Sequence, residues 1–337
     1  MTPTTAFISS PRFVEHDTGP THPERPDRIR AIHRAVRAAG MVDAPDPFPD
    51  FELDLGPMPP AGVKLREVAP RPIEEKWIHT VHPPDHVEEI KHACALGGAG
   101  WVLDAGDTIV GPNSWEIALL SAGAVLVACD EVMTGRARRA FVAARPPGHH
   151  AEPDRAMGFC LLANVAIGAR YLQRRHGVAR IAIVDFDVHH GNGTQAVFEA
   201  DPSVFFVSLH QHPRTCYPGS GFEHETGVGN VMNIPMKPRT EDDAYVAAID
   251  DRVIPALEKF APEVLMISAG FDAHHDDPLA QMSLSEEGFE RMTRSLVNFA
   301  DRHCAGRVIS VLEGGYDLRA LGRSVVRHLI ALSAPPL

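Results

Sequence analysis

The stretch that decides the fold is IVDFDVHHGNGTQ, residues 183–195. Apolar β-branched residues open it and glycines close it, which is typical of a buried strand that leads into a loop. We interpret residues 180–186 as that strand, whose period of two sends Asp185, Asp187 and His189 toward one side. Carboxylates that enter a core are costly without a cation. The pattern therefore predicts a metal site, although such groups can also cap the following helix.

Five other short apolar runs resemble this strand, and longer amphipathic stretches separate them. Such alternation predicts an α/β fold with a predominantly parallel central sheet and helices on both faces. The predicted strands are residues 5–8, 140–144, 180–186, 204–209, 264–268 and 308–312, and the predicted helices are residues 114–134, 161–175, 242–259, 285–303 and 318–333. The proline-rich, acidic segment 44–72 indicates a surface excursion, so we expect one domain over residues 1–337.

The composition of the chain argues against several classes of function. The 337 residues are 44% hydrophobic and carry a formal charge of −12, which argues against nucleic-acid binding because that usually requires a basic patch. We find no apolar run near the roughly 20 residues of a membrane helix, no signal-peptide layout and no CxxC pair among the cysteines. We expect a cytoplasmic protein without nucleic-acid or membrane partners, and a homo-oligomer stays open.

An acid also lies just beyond the end of a second predicted strand. Residues 264–268 lead into AGFDAHHDDP, residues 269–278. Since the carboxyl ends of parallel strands meet at one edge, we expect Asp272 to join Asp187 and His189. Two carboxylates and one imidazole leave an open position on zinc, as a catalytic site requires. Two anionic ligands acidify bound water less than three neutral histidines do, so such a site needs a protein base.

The motif RPPGHH, residues 145–150, offers that base. It follows a predicted strand, and the Pro-Pro-Gly turn lets His149 and His150 face one site. A buried carboxylate can fix the tautomer of an imidazole and raise its basicity, and Asp185 is available for that role. Two histidines in a solvated loop are the alternative interpretation.

The motif EGGY, residues 313–316, follows the last predicted strand. Its glycines would let the Tyr316 hydroxyl approach the metal, where a phenol can polarise a carbonyl and donate to a developing oxyanion. On its own the motif is also compatible with an ordinary turn and a packed tyrosine. Its position at the same edge of the sheet favours the catalytic role.

These blocks, in this order, resemble the histone deacetylase and acetylpolyamine amidohydrolase superfamily, which has the arginase-deacetylase fold. The resemblance extends over nearly the whole chain, and Asn192 makes the chain similar to the class II and bacterial branch. The motifs that carry it are HPERPDR (22–28), RPPGHH (145–150), MGFC (157–160), DFDVHHGNGTQ (185–195), VSLH (207–210), SAGFDAHHDDP (268–278) and EGGY (313–316).

The resemblance implies roles for individual residues. Asp187, His189 and Asp272 would bind zinc, or Fe²⁺ in the cell. The catalytic residues would be the tandem histidines His149 and His150, Asp185 behind the first of them, and the oxyanion-stabilising Tyr316. The acyl group would enter a narrow apolar channel, for which the substrate-binding residues are Gly158, Phe159, Tyr217, Asp107 and Leu279.

The resemblance also implies structural potassium. A K⁺ beside the zinc would be bound by oxygen atoms of Asp185, Asp187, His189, Ser208 and Leu209. A second, more distant site would use backbone groups of Phe198, Asp201, Val204 and Asn230.

The implied function is zinc-dependent hydrolysis of the amide bond of N-acyl amines, with acetyl-lysine or a related small acyl amine as the substrate. An acetylpolyamine deacetylase is the alternative, although Leu279 stands where polyamine-selective members tend to place a glutamate. A non-catalytic acyl-lysine binding protein would have lost a ligand or the tyrosine. An arginase-like binuclear centre would need further acids where this chain has Gly191 and His274.

Overall fold

The central element of the protein is an eight-stranded parallel sheet. The computed structural model describes residues 5–58, 60–96, 101–104 and 107–335. Its strands are β1 (Thr5–Ser9), β2 (Leu65–Val68), β3 (Trp101–Val102), β4 (Ile109–Val110), β5 (Arg139–Ala143), β6 (Ile181–Asp185), β7 (Val204–Gln211), β8 (Val231–Met236), β9 (Val264–Ala269) and β10 (Val308–Leu312). The sheet has the order β2-β1-β5-β10-β9-β6-β7-β8, and every adjacent pair is parallel. β3 and β4 form a separate antiparallel ribbon.

Helices connect the strands. They are α1 (Asp27–Ala38), α2 (Glu75–Ile78), α3 (Pro84–Leu96), α4 (Ser114–Met133), α5 (Asn164–His176), α6 (Asn192–Phe198), α7 (Asp242–Ala248), α8 (Ile254–Phe260), α9 (Glu286–His303) and α10 (Leu318–Leu332). Side chains cap two of the long ones: Ser285 Oγ accepts from Gly288 N at the start of α9, and Asp317 accepts from Ala320 N at the start of α10. In the part of the chain described, none of the helices has the length and apolar character needed to cross a membrane.

The register of the sheet places helices on both faces. Phe141 and Ser310 are partners in adjacent strands, and both contact His328 of α10, with Ser310 Oγ 2.8 Å from its Nε2. Met266 lies one residue before the β9 partner of Ser310, so its side chain points to the opposite face. There it packs against α5, where a Cβ on Gly168 would lie 3.1 Å from Met266 Cε. The predicted α/β fold is confirmed.

The six predicted strands are all present, and each end lies within two residues of the prediction. The helix predicted over residues 242–259 is interrupted by a π-helical turn, Ile249–Val253, between α7 and α8. Segment 44–72 is more than a surface excursion, because it contains β2, which pairs with β1. Strand β8 was also missed. Its Pro235 is tolerated because β8 lies at the edge of the sheet, where a missing N–H breaks no ladder bond.

Candidate active site

Four adjacent strands, β5, β10, β9 and β6, end at the edge of the sheet that carries the candidate site. Because they are parallel, the segments that follow them all begin at this edge. The segment after β6 carries Asp187 and His189, and the segment after β9 carries Asp272. The tandem histidines follow β5, and Tyr316 follows β10.

The three predicted metal ligands are buried side by side. One ligand atom each from Asp187, His189 and Asp272 lies within 4.8 Å of the others. His189 Nδ1 is 3.1 Å from Asp187 Oδ1 and 3.1 Å from Asp272 Oδ2. Strand β6 ends at Asp185, so the turn beyond it, rather than the alternation predicted along a strand, brings these groups together. In that turn Asp187 N donates to Asp185 Oδ1 at 3.0 Å.

Backbone N–H groups hold the two carboxylates in place. Gly314 N donates to Asp187 Oδ2 at 2.7 Å, and Val188 N donates to Asp272 Oδ1 at 3.0 Å. A Cβ on Gly314 would lie 2.0 Å from Asp272 Oδ2, and one on Gly270 would lie 2.1 Å from Asp187 Oδ2. Only glycine allows this close approach of backbone to carboxylate.

The charges of the site suit a divalent cation. Asp187 and Asp272 are fully buried, and burial together with the charge of Asp187 raises the pKa of Asp272. Burial opposes the charged form of His189 as well, but the two carboxylates raise the pKa of this imidazole. Two buried like charges are unfavourable unless a cation neutralises them. Two carboxylate oxygens and one imidazole nitrogen match a three-ligand zinc site with an open position.

The tandem histidines lie together beside this group, with ring centroids 3.9 Å apart. His149 Nδ1 is 3.0 Å from Asp185 Oδ2, as predicted for the acid behind the first histidine. Burial opposes protonation of His149, but Asp187 and Asp185 outweigh it and raise the pKa of His149 to about 10. A cation bound to Asp187 would offset part of this charge and lower the pKa of His149 again.

The second histidine has an amide partner. His150 Nδ1 lies 2.7 Å from Asn192 Oδ1, and because an amide oxygen only accepts, His150 donates from Nδ1. Burial and the charges of His149 and His189 lower the pKa of His150. Its neutral ring then has Nε2 as a proton acceptor. Asn192 therefore fixes the tautomer of His150, as a carboxylate would, but adds no negative charge beside the ring.

The predicted oxyanion donor, Tyr316, is held by a buried arginine. Arg28 Nε donates to Gly315 O at 2.7 Å, and its guanidinium lies 5.0 Å from the centroid of the Tyr316 ring. Asp277 Oδ2 accepts from Tyr316 N at 2.7 Å. Burial and the nearby Asp272 carboxylate raise the pKa of Tyr316. The phenol thus stays protonated near neutral pH and can donate a hydrogen bond.

One cavity of about 260 Å³ connects these groups to the surface. The Phe159 ring is 5.8 Å from that of Tyr316, and the Tyr217 ring is 5.1 Å from that of His150. Leu279 and Tyr217 are 39% and 44% exposed, which puts them at the mouth. The cavity is lined by all five predicted substrate-binding residues, three predicted site residues and two unassigned ones: Gly158, Phe159, Tyr217, Asp107, Leu279, His150, His189, Tyr316, His22 and Pro23.

Several supporting residues were not predicted. Fully buried Glu313 accepts from Gly148 N at 2.8 Å and from Ser268 Oγ at 3.0 Å, and so fixes the loop that carries the tandem histidines. Glu24 pairs with Arg28 at 2.9 Å and with Arg145 at 2.6 Å. Glu313 directly follows a strand, which is the signal that found the other acids, whereas Glu24 and Arg28 show only helical i,i+4 spacing.

The two predicted potassium sites differ in the structure. At the first, Ser208 lies opposite Asp185 in the register of β6 and β7, and both are fully buried. At the second, the side chain of Asn230 stands where a cation was expected. Its Nδ2 lies 2.7, 2.9 and 2.9 Å from the carbonyl oxygens of Phe198, Asp201 and Val204. The amide of Asn230 thus donates to three of the carbonyl groups that were expected to bind the second K⁺, and this second site stays a prediction.

Comparison with known proteins agrees with this geometry. The family model "Histone deacetylase domain" matches residues 22–332. The histone deacetylase-like amidohydrolase of Pseudomonas aeruginosa is 40% identical over 94% of this chain and 83% of that protein. A protein of Archaeoglobus fulgidus named "Probable deacetylase" is 36% identical over 93% of this chain and 82% of its own length. The crystal structure of the HDA15 HD domain matches with a TM-score of 0.87 and 34% identity, covering 98% of this chain and 88% of that chain.

Proposed function

Because the chain belongs to the histone deacetylase family, whose members are metal-dependent hydrolases of amides, we propose that it is a zinc-dependent deacetylase of acetyl-lysine or a related small acyl amine. The observation that carries the proposal is a buried group of three side chains of metal-ligand type, one of which, His189, lines the same cavity as His150 and Tyr316. We take residues 1–337 as one such domain that acts in the cytoplasm, and the five free thiols support that compartment.

Different residues of the chain have different roles in the proposed reaction. Zinc or Fe²⁺ held by Asp187, His189 and Asp272 would supply Lewis-acid polarisation of the amide carbonyl and of a water. His150 accepts a proton from the attacking water through Nε2, and Tyr316 donates to the developing oxyanion. Either His150 or His149 then protonates the leaving amine.

The apolar Leu279 at the mouth of the cavity favours a peptide over a polyamine. Leu279 presents an apolar side chain there, which offers no ion pair to the remaining ammonium groups of a polyamine. Asp107 also lines the cavity, and its carboxylate can accept hydrogen bonds from a peptide backbone. Burial and the neighbouring Asp104 raise the pKa of Asp107. A lysine side chain needs only the apolar walls of Phe159 and Tyr217 along its length.

A parallel activity screen tests the proposed function. The purified zinc-loaded protein is offered acetyl-lysine peptides, longer acyl-lysine peptides and acetylpolyamines. We expect the highest kcat/KM with the acetyl-lysine peptide. A higher kcat/KM for an acetylpolyamine would refute the substrate assignment. Tight binding of an acetyl-lysine peptide without turnover would instead identify a non-catalytic acyl-lysine binding protein.

We also expect a K⁺ beside the metal, bound by the oxygens around Asp185 and Ser208. A ligand that binds only the folded state stabilises it, so replacing K⁺ by a bulky organic cation at constant ionic strength should lower the Tm. The control is the Asn230→Ala protein, because residue 230 is not among the predicted ligands of this K⁺. The loss of K⁺ should therefore lower its Tm by at least as much as it lowers the Tm of the unmodified protein. An unchanged Tm of the unmodified protein would contradict the site.

A further inference from the structure

We propose that Glu152 is a positioning residue that fixes the proton of His150 through the side-chain amide of Asn192. The inference deepens the proposed function and rests on it, because it assigns the residue that keeps the catalytic base in its active tautomer. Glu152 lies two residues beyond the tandem histidines and outside the cavity, so it is not a catalytic residue.

Three side chains form a line that runs from the cavity toward the surface. His150 Nδ1 is 2.7 Å from Asn192 Oδ1, and Asn192 Nδ2 is 2.8 Å from Glu152 Oε1. The first two side chains are buried, whereas the side chain of Glu152 is 30% exposed. In this row of three side chains, the Asn192 amide therefore connects the His150 imidazole to the Glu152 carboxylate.

The direction of the amide decides which ring nitrogen carries the proton. A carboxylate only accepts, so Asn192 has to turn its NH₂ toward Glu152 and its oxygen toward His150. The oxygen then requires a proton on Nδ1, and Nε2 keeps its lone pair. In the reversed amide, Nδ2 would face the ring, the proton would move to Nε2, and the ring could no longer act as a base there.

Other contacts of the amide are too weak to set its direction. Asn192 Nδ2 also approaches the His150 carbonyl oxygen and Met157 Sδ, both at 3.4 Å. The distance to the carbonyl oxygen is long for a hydrogen bond, and the thioether sulfur of Met157 is a weak acceptor. The carboxylate of Glu152 is the strong acceptor. Its backbone pairs with that of Arg155, which keeps the turn in place when the side chain is replaced.

Three substitutions at this position separate the roles. The Glu152→Gln protein still offers a carbonyl oxygen to Asn192 and should keep a near-normal kcat. The Glu152→Ala protein lacks the acceptor, and its kcat should fall by about 10- to 100-fold at unchanged zinc content and KM, the size of effect that is typical when a partner orienting a metal-ligating imidazole is lost. The Glu152→Lys protein presents a donor, which favours the reversed amide, so its kcat should fall further. The matched control is Asp154→Asn, which removes an exposed carboxylate from the same turn.

A spectroscopic readout separates this inference from the proposed function. In ¹⁵N spectra of the zinc-loaded protein, His150 should carry its proton on Nδ1 in the unmodified and Glu152→Gln proteins, and on Nε2 in the Glu152→Lys protein. This pattern can be read even if the protein hydrolyses none of the substrates. An Nδ1 proton retained in both the Ala and Lys proteins, or an unchanged kcat in both, would overturn the proposal.

Discussion

The Asp187→Ala protein should lose its catalytic metal and, with it, all measurable deacetylase activity. Asp187 provides one of two carboxylates in a three-ligand group, and among the residues that the structure describes no third carboxylate belongs to that group. The same side chain accepts from Gly314 N and His189 N, so its loss also loosens the turns that carry the oxyanion donor and the imidazole ligand. Metal analysis of the purified protein and kcat with an acetyl-lysine peptide measure the effect.

A second group of side chains provides the control for this experiment. One ligand atom each from His274, His275 and Asp276 also lies within 4.8 Å of the others, but His275 and Asp276 are exposed. We expect the Asp276→Ala protein to keep both zinc and activity. If it lost the metal while the Asp187→Ala protein stayed loaded and active, the catalytic ligands would be assigned to the wrong group.

The grouping of Asp187, His189 and Asp272 could be predicted because a parallel sheet limits where its polar residues can meet. Asp185 ends one strand, and Asp272 lies three residues beyond the end of another. An acid at the end of an apolar run, or a few residues beyond it, therefore belongs to the edge of the sheet with the site, whatever the strand order is. The strand order itself is tertiary information, and in it β10 and β9 lie between β5 and β6.

The supporting contacts could not be predicted in the same way. Arg28 lies on α1, yet it donates to Gly315 O, 287 residues further along the chain. Its motif shows a charged helix start, and charged residues on helices are usually solvated. Asn230 is similar, since a single asparagine before an edge strand gives no sign that three carbonyl groups converge on its amide. Such contacts depend on packing between segments that are distant in sequence.

The Tyr316→Phe protein should bind zinc and a hydroxamate ligand nearly as the unmodified protein does, but turn over an acetyl-lysine peptide much more slowly. The backbone of the turn is held by Arg28 and Asp277, and neither contact uses the hydroxyl. Losing one oxyanion donor typically costs about 10²–10³ in kcat, or roughly 3–4 kcal/mol. Because the hydroxyl acts only in the transition state, kcat and kcat/KM should fall together.

The matched control is Tyr245→Phe, which removes another buried phenolic hydroxyl. Among the residues described, the Tyr245 hydroxyl has no hydrogen-bond partner, so its removal should leave stability and kcat nearly unchanged. A fall in kcat of less than about threefold for Tyr316→Phe would make Tyr316 a packing residue, and oxyanion stabilisation would then rest on the metal site and a histidine. Loss of zinc together with activity would show that Tyr316 holds the turn beside Asp187 and Asp272. Unchanged zinc and hydroxamate binding with a slow kcat is therefore the result that distinguishes a catalyst from an acyl-lysine binding protein.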